Sequence, residues 1–412
     1  MIYWKRKLIT IMRTCRLLSV LTLLTFFGAI GVSAQEVNIQ TLLQKAESGD
    51  VNAMFNLGLM YSNGDGVAVN FTEAMKWFMK AAEKGDVPAM RYIGVMYYNG
   101  DGVLKNSQEA IKWFMKAAEK GDADAMRNIG LMYSNGDGVA VNFTEAIKWF
   151  MKAAEKRDAA AMYNMGVLYY NDMFNDKEAL EWFKKAADNG YIDAMYWAGH
   201  ILYYDYGGDE KCKKEAEQYL KMAAEKGNTD AMLEYTIFLD EKDAEKWYQL
   251  GAEKGNSACM YHLALRLLDK KEVEKAVGWL KKGSEDDEDL FCTQFLGDMY
   301  LHGENVVKDY KRAYELFLHA HERGSCYATG RIGEMYYYGF YVKQDFDKAF
   351  QYLNEAANNV NVFNMLPVEA MRLLAACYRY GKGTKADPEK EKYWMNEAAS
   401  MGDEKAQRIM KK

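Results

Sequence analysis

Apolar and small residues recur along this chain at helical spacing, in segments that glycine-containing turns separate. In residues 51–86, Ala53, Leu57 and Tyr61 follow one another at intervals of four. That spacing places the three side chains on one face of a helix, which we predict over about 51–61 and call helix A.

A second amphipathic segment follows the turn and predicts a helix over about 71–84, called helix B. Asn70 precedes it, and Glu73 comes three residues later, which suits an N-cap whose acid reaches back to the Asn70 N–H. Gly85 stands where a left-handed residue closes a helix. The apolar face of helix B consists of Ala74, Trp77, Phe78, Ala81 and Ala82, and its outward face carries Glu73, Lys76, Lys80, Glu83 and Lys84.

The two-helix segment recurs with a period of 36 residues. Residues 51–86 and 123–158 differ at only six positions. Self-similarity at such a period indicates stacked units that share one elongated core, rather than the two or three globular domains that the length suggests. Ten copies lie at about 51–86, 87–122, 123–158, 159–191, 192–228, 229–256, 257–289, 290–325, 326–361 and 362–403. We therefore predict an all-α, right-handed α/α superhelical solenoid over residues 35–412.

One repeat carries a recognisable signature. It consists of Ala53, Leu57, Gly58, Tyr61, Gly64, Gly66 and Val67, followed by Ala74, Trp77, Lys80, Ala81, Ala82 and Gly85. This pattern resembles the Sel1-like repeat, an α/α solenoid related to tetratricopeptide repeats. The resemblance is strongest over 51–158 and good over 290–361. It implies a non-enzymatic scaffold or adaptor that assembles protein complexes, in signalling or in envelope and host-interaction roles.

Two departures from the pattern concern its shape. Residues 229–289 lack the Gly-x-Gly-Val turn, and Thr236 and Leu263 replace the glycine of helix A. This irregular stretch is either a bend between two binding arcs or neutral drift. The other departure is Leu316, which alone breaks the row of helix-B aromatic residues. That row, which we expect to fill space between hairpins, is Trp77, Trp113, Trp149, Trp182, Tyr219, Trp247, Trp279, Tyr352 and Trp394.

The N-terminal residues have the pattern of a secretory signal. Residues 1–16 carry five basic residues and no acid, residues 17–32 are apolar, and Ala34 ends a small-residue cleavage site. An uncut membrane anchor is the alternative. Cleavage after Ala34 predicts an exported chain, periplasmic or extracellular, with no membrane span. Loss of five positive charges leaves 48 Lys and Arg against 59 Asp and Glu, a net charge of −11, which does not favour nucleic acid as a partner.

The sequence contains no motif that indicates catalysis. His319 and His321 stand two apart, which turns them to different sides of a helix, so we predict no metal site. The cysteines of the mature chain lack a paired spacing, and we expect Cys259, Cys292 and Cys377 to be buried thiols. We predict no enzymatic activity and no cofactor. Some Sel1-like proteins are cysteine-rich with reported penicillin-binding or β-lactamase activity, but this chain lacks that cysteine pattern. An envelope enzyme acting on β-lactams or cell-wall material, or a carbohydrate-binding module, remains the alternative.

The face of helix A opposite Ala53 and Leu57 provides the functional hypothesis. A helix exposed to water on that side would be polar there, whereas this face mixes aromatic, aliphatic and arginine residues. Such a mixture is typical of a protein-binding surface. The alternative is that neighbouring helices bury part of the face. We predict that a protein or peptide partner binds in the concave groove through Phe55, Arg91, Tyr98, Arg127, Tyr163, Tyr170, Tyr196 and Tyr203.

Overall fold

The computed structural model describes residues 39–285, 290–359 and 368–410. These residues form 22 α-helices and one 3-10 helix, and no strand occurs among them. The predicted all-α solenoid of helical hairpins is confirmed. The signal sequence predicted at residues 1–34 lies outside the described residues. The chain divides into two compact units, which meet in sequence between Lys226 and Gly227.

The first unit begins with a single helix and continues with five helical hairpins. Each hairpin consists of one helix A and the helix B that follows it. The helices are α1 (Ile39–Glu47), α2 (Val51–Asn63), α3 (Phe71–Glu83), α4 (Val87–Asn99), α5 (Ser107–Glu119), α6 (Ala123–Asn135), α7 (Phe143–Glu155), α8 (Ala159–Asn171), α9 (Asp176–Asp188), α10 (Ile192–Tyr204) and α11 (Glu210–Glu225).

The second unit contains five further hairpins and a terminal helix. Its first helix A is short and continues into a 3-10 helix at Thr236–Phe238. The helices are α12 (Thr229–Tyr235), α13 (Glu241–Glu253), α14 (Ser257–Asp269), α15 (Val273–Gly283), α16 (Phe291–His302), α17 (Tyr310–Glu322), α18 (Cys326–Tyr338), α19 (Phe346–Asn358), α20 (Val368–Tyr380), α21 (Pro388–Ser400) and α22 (Glu404–Met410).

Side-chain caps define the helix ends, as the sequence predicts for helix B. The Asn70 side chain accepts a hydrogen bond from the Glu73 N–H at 3.1 Å. The predicted return contact from the Glu73 carboxylate is wrong. The Asn70 N–H donates instead to the Tyr61 carbonyl, 2.8 Å away, and the Glu73 carboxylate lies 3.3 Å from Lys76 Nζ. The hairpin turn therefore fastens the start of helix B to the last turn of helix A.

A phenylalanine ring lies directly on the helix-A glycine in five of the ten described hairpins. A Cβ added to Gly58 would lie 2.4 Å from the Phe78 ring, so only glycine allows helices α2 and α3 to approach this closely. Phe78 is fully buried, whereas the tryptophan one position earlier is half-buried in most hairpins, with a lysine one turn later over its ring. Lys116 Nζ, for example, lies 3.7 Å from the centroid of the Trp113 ring. In the hairpins that have both residues, the phenylalanine thus fills the centre and the tryptophan covers the outer edge.

In the irregular repeats of the second unit, two alanines that meet between neighbouring helices are replaced by a glycine on one helix and a cysteine on the other. Where the first hairpins have Ala81 on helix B and Ala89 on the next helix A, this unit has Gly251 and Cys259. A Cβ on Gly251 would lie 2.4 Å from Cys259 Sγ. The same exchange recurs one repeat later, between α15 and α16, at Gly283 and Cys292. The predicted burial of Cys259, Cys292 and Cys377 is confirmed, since each is 0% exposed.

Candidate partner-binding face

The structure separates the eight predicted partner-binding residues into two groups. Five hairpins carry them, and the buried residues lie in the last two hairpins of the first unit. Half-buried positions are Phe55, Arg91, Tyr98, Arg127 and Tyr203. Buried positions, with exposed fractions of 9%, 5% and 3%, are Tyr163, Tyr170 and Tyr196.

Arg127 joins its own helix A to the helix A of the next hairpin. Its Nε lies 2.9 Å from Asp158 Oδ2, and its guanidinium also contacts Asp124 on α6. Asp158 is the N-cap of α8, where its other oxygen accepts a hydrogen bond from the Ala161 N–H at 3.0 Å. Burial by itself lowers the pKa of the Arg127 guanidinium, but the charges of Asp158 and Asp124 outweigh it and raise the pKa. The arginine is therefore a structural staple between consecutive repeats.

The same two positions contact each other in several repeats, through different types of side-chain interaction. In several hairpins the fifth residue of helix A, or the fourth in α16, contacts the N-cap of the next helix A, about one repeat later in sequence. Arg91 with Asp122 at 3.2 Å and Arg372 with Asp403 at 3.3 Å are charged versions, Gln294 with Ser325 at 3.1 Å is a neutral version, and Tyr163 stacked on Tyr191 with centroids 4.7 Å apart is an aromatic version. Arginine at this position therefore pairs with an aspartate N-cap and Tyr163 with an aromatic one, whereas Phe55 makes a different contact although the next N-cap is Asp86.

Phe55 has a packing role at the equivalent position of the first hairpin. Its ring lies 5.7 Å from the Phe78 ring and 5.6 Å from the Tyr92 ring, and those two rings stack on each other at 5.2 Å. The difference between Phe55 and Arg91 on otherwise similar helices thus has a structural explanation.

The tyrosines toward the end of the first unit are covered by aromatic neighbours. Tyr170 lies 5.5 Å from Trp197, and Tyr196 lies 5.7 Å from His200. For Tyr163, Tyr170 and Tyr196, the alternative stated above, burial by neighbouring helices, describes what is observed. Little ring surface remains there for a partner, so these three residues do not enter the proposal below.

An apolar row across the first three hairpins is half-exposed. We call it the helix-A row: Leu59, Val95 and Leu131, one turn beyond Phe55, Arg91 and Arg127 respectively. The equivalent residues of the next two hairpins, Val167 and His200, are 1% and 7% exposed. Beside the row, the Tyr98 hydroxyl donates to Asp137 Oδ2 at 2.8 Å, which fixes that ring at the edge of the face. The row is apolar surface that neighbouring hairpins leave accessible.

Sequence reasoning placed these aliphatic residues on the correct helix face but favoured the bulkier residues around them. The staples were missed because they join residues 31 apart that belong to different repeats. One signal was available, since arginine precedes aspartate at that separation four times in the chain, and three of these pairs are in contact: Arg91–Asp122, Arg127–Asp158 and Arg372–Asp403.

Comparison with known proteins identifies the family. A model described as Sel1 repeat matches residues 51–86, 87–122, 123–158, 159–191, 192–228, 236–256, 257–287, 293–325, 324–361 and 368–403. The chain belongs to the Sel1 repeat family. Proteins with these repeats typically mediate protein–protein interaction, and the fold is generally non-catalytic.

Solved structures of similar chains include other Sel1 repeat proteins. One is c5321, a protective antigen present in uropathogenic Escherichia coli strains, with 29% identity over 90% of this chain and 88% of that chain and a TM-score of 0.42. Another is a Sel1 repeat protein from Oxalobacter formigenes, with 22% identity over 92% and 91% and a TM-score of 0.37. No curated protein sequence matches this chain. Within the described ranges, the helices are too short or too polar to span a membrane.

Proposed function

We propose that this protein is a scaffold or adaptor that binds a protein or peptide partner on the helix-A row of its first unit. The supporting observation is the half-exposed line of Leu59, Val95 and Leu131, bordered by Arg91 and Arg127 in fixed positions. An apolar strip with immobilised charges along its edge suits a partner segment that buries aliphatic side chains and pairs its polar groups at the rim. Because the staples already order the arginines, binding costs little further side-chain entropy.

The test replaces two residues of the helix-A row and leaves the ion pairs of Arg91 and Arg127 between repeats unchanged. Val95→Gln and Leu131→Gln together remove apolar surface but keep side chains that can reach water from half-buried positions. The partner is first captured from envelope and medium fractions with the wild-type chain and identified by mass spectrometry. We expect the double variant to bind that purified partner at least about tenfold more weakly, a loss of about 1.4 kcal/mol.

A matched control lies on the outer face of helix B. Met151 is 46% exposed, so Met151→Gln removes a similar apolar side chain from a surface outside the proposed site. It should leave partner affinity unchanged. Equal affinity of the double variant and the wild type, with helical circular dichroism retained, would refute the assignment of the row. Changing Arg91, Arg127, Tyr163 or Tyr196 would be less informative, because those changes also disrupt packing between repeats.

We also propose that the chain is exported and that its signal is removed after Ala34. The support is the basic start, the apolar run at residues 17–32 and the small-residue site before Gln35. Expression of the full chain with a C-terminal tag, followed by fractionation and N-terminal sequencing, tests this. We expect a mature chain that begins at Gln35 outside the cytoplasm. A chain that keeps its first residues and pellets with membranes would indicate the uncut anchor instead.

A further inference from the structure

A cavity in the second unit lies where the repeat pattern lacks its helix-B aromatic residue. Leu316 on α17 stands at the position that Trp149 and Trp279 occupy in their own hairpins. Beside Leu316 the structure has a cavity of about 430 Å³, bounded by Lys281 of α15, by Ser284 directly after that helix, and by Leu296 and Tyr300 of α16. A leucine fills less of the space between consecutive B helices than an indole does. The cavity is therefore the space that the missing tryptophan leaves open.

A second cavity, of about 520 Å³, adjoins the first and extends it toward the hairpin turn. In regular repeats the turn packs tightly on the preceding helix B, since a Cβ on Gly102 would lie 2.6 Å from the backbone of Phe71. Here Asn305 replaces that glycine and Val273 replaces that phenylalanine, and both line the cavity. The asparagine side chain prevents the close approach, and the smaller valine leaves further space. Three local substitutions thus combine to open one continuous cleft.

Some of the charged side chains that line the cleft are paired with an opposite charge, and one is not. Lys281, Tyr300 and Arg312 line both cavities. Asp309 caps α17 and lies 3.4 Å from Arg312 Nε, and Glu315 pairs with Lys311 at 3.8 Å.

Glu274 is a third carboxylate, on an exposed position at the outer cavity. Lys281, in contrast, has no carboxylate within 4.0 Å among the residues that the structure describes. The centre of the cleft therefore offers an uncompensated ammonium group, a second cation at Arg312 and an apolar wall at Leu296 and Leu316.

We propose that this cleft is a second recognition site, which binds a partner peptide presenting an aromatic side chain next to a carboxylate. The aromatic ring occupies the place of the missing tryptophan against Leu316 and Leu296. The carboxylate pairs with Lys281, whose charge has no carboxylate partner among the described residues, and lies beside Arg312, which Asp309 already pairs. The site lies in the second unit and is independent of the helix-A row, so either proposal can fail without the other.

The test uses defined peptides with the full-length mature chain. A fluorescein-labelled pentapeptide that ends in tryptophan with a free carboxylate is titrated by fluorescence anisotropy, beside its C-terminal amide and a version that ends in alanine. We expect saturable binding of the first peptide, and binding about tenfold weaker for each of the other two. Binding of all three with equal affinity, or of none, would overturn the proposal.

Variants assign the binding to the cleft. Leu316→Trp fills the cavity with the residue that other hairpins already have, and Lys281→Met removes the unpaired charge from an exposed position. Each should weaken binding of the carboxylate peptide at least about tenfold, with helicity unchanged. Unaltered binding by both variants would place the peptide elsewhere and refute the assignment.

A matched control variant creates the same gap in a hairpin that lacks the two cationic side chains. Trp149→Leu mimics Leu316 in the first unit, where Met115 and Glu145 stand at the positions of Lys281 and Arg312. A Leu316→Trp chain that also carries Trp149→Leu should not regain binding. Recovered binding would show that a gap alone is sufficient and that the charges have no role.

Discussion

In the second unit, Gly251 and Cys259 replace two alanines that meet between neighbouring helices. This replacement predicts how strongly changes at the two positions are coupled in the free energy of unfolding. Gly251→Ala adds a Cβ at a point 2.4 Å from Cys259 Sγ, which must move. Cys259→Ala removes that sulfur from a fully buried site. The double variant restores the alanine pair found at Ala81 and Ala89 in the first hairpins, where both side chains are accommodated. The two changes should therefore be strongly coupled.

The expected changes in the free energy of unfolding follow from typical costs of overpacking, lost burial and helix propensity. Overpacking a core costs about 1–3 kcal/mol, and replacing a glycine within a helix recovers about 1 kcal/mol, so Gly251→Ala should destabilise by about 0–2 kcal/mol. Loss of the buried sulfur in Cys259→Ala costs about 1 kcal/mol. The double variant has no clash and keeps the helix-propensity gain, so its stability should lie within about 1 kcal/mol of wild type. The coupling free energy is then about 1–3 kcal/mol.

Urea unfolding of the four proteins, followed by circular dichroism and by the fluorescence of tryptophans including Trp247 on the same helix, measures this cycle. Gly278→Ala is the control, because outside its chain neighbours and the backbone of its own helix no atom lies within 4 Å of the Cβ it would add on α15. That variant should gain about 0.5–1 kcal/mol from helix propensity alone. Additive effects of Gly251→Ala and Cys259→Ala would refute the reasoning, because they would mean that the helices separate at no cost.

Three further predictions concern the staple, the close approach and a buried thiol. In a double-mutant cycle, Arg127→Ala and Asp158→Asn should show a coupling of about 1–3 kcal/mol, because asparagine keeps the N-cap and loses the ion pair; a coupling near zero would assign Asp158 to capping alone. Gly94→Ala places a Cβ 2.7 Å from the Phe114 ring and, after the same gain in helix propensity, should lower the unfolding free energy by about 0–2 kcal/mol in urea; an increase would show that α4 and α5 can separate freely. Burial raises the pKa of Cys377 to about 11, against the opposing charge of Lys382. Its alkylation by iodoacetamide, which consumes the thiolate, should be slow at pH 8 and accelerate about tenfold per pH unit toward that pKa, whereas the urea-unfolded chain should react at an ordinary thiol rate.

The parts of the fold that depend on nearby residues could be predicted from the sequence. Helix A was expected at 51–61 and is Val51–Asn63, and helix B was expected at 71–84 and is Phe71–Glu83. The small Gly58 was expected to permit close packing, and the Phe78 ring lies against it. These features are determined within one hairpin, where periodicity, caps and glycine positions carry the information.

Contacts between repeats could not be predicted in this way, because their partners are about one repeat apart. Nothing near Tyr163 in sequence shows that Tyr191 will stack on it, or that the same pair of positions holds Arg127 and Asp158 one repeat earlier. Exposure on an outward helix face depends on how closely the next hairpin packs. That closeness is set by side chains of both hairpins together, so a helical wheel of one of them is insufficient.

The staples also change how variation between near-identical repeats should be interpreted. A residue that changes from repeat to repeat on a constant frame suggests a binding surface, as Phe55 and Arg91 did. Arg91, Arg127 and Tyr163 nevertheless each contact the N-cap of the next helix A, and Phe55 packs on Phe78 and Tyr92, so residues that vary at this position make internal contacts. The residues that suggest recognition are those whose change leaves a space or a charge without compensation. Leu316 and Lys281 meet that criterion, since no neighbouring substitution refills the position of the indole or pairs the ammonium group among the described residues.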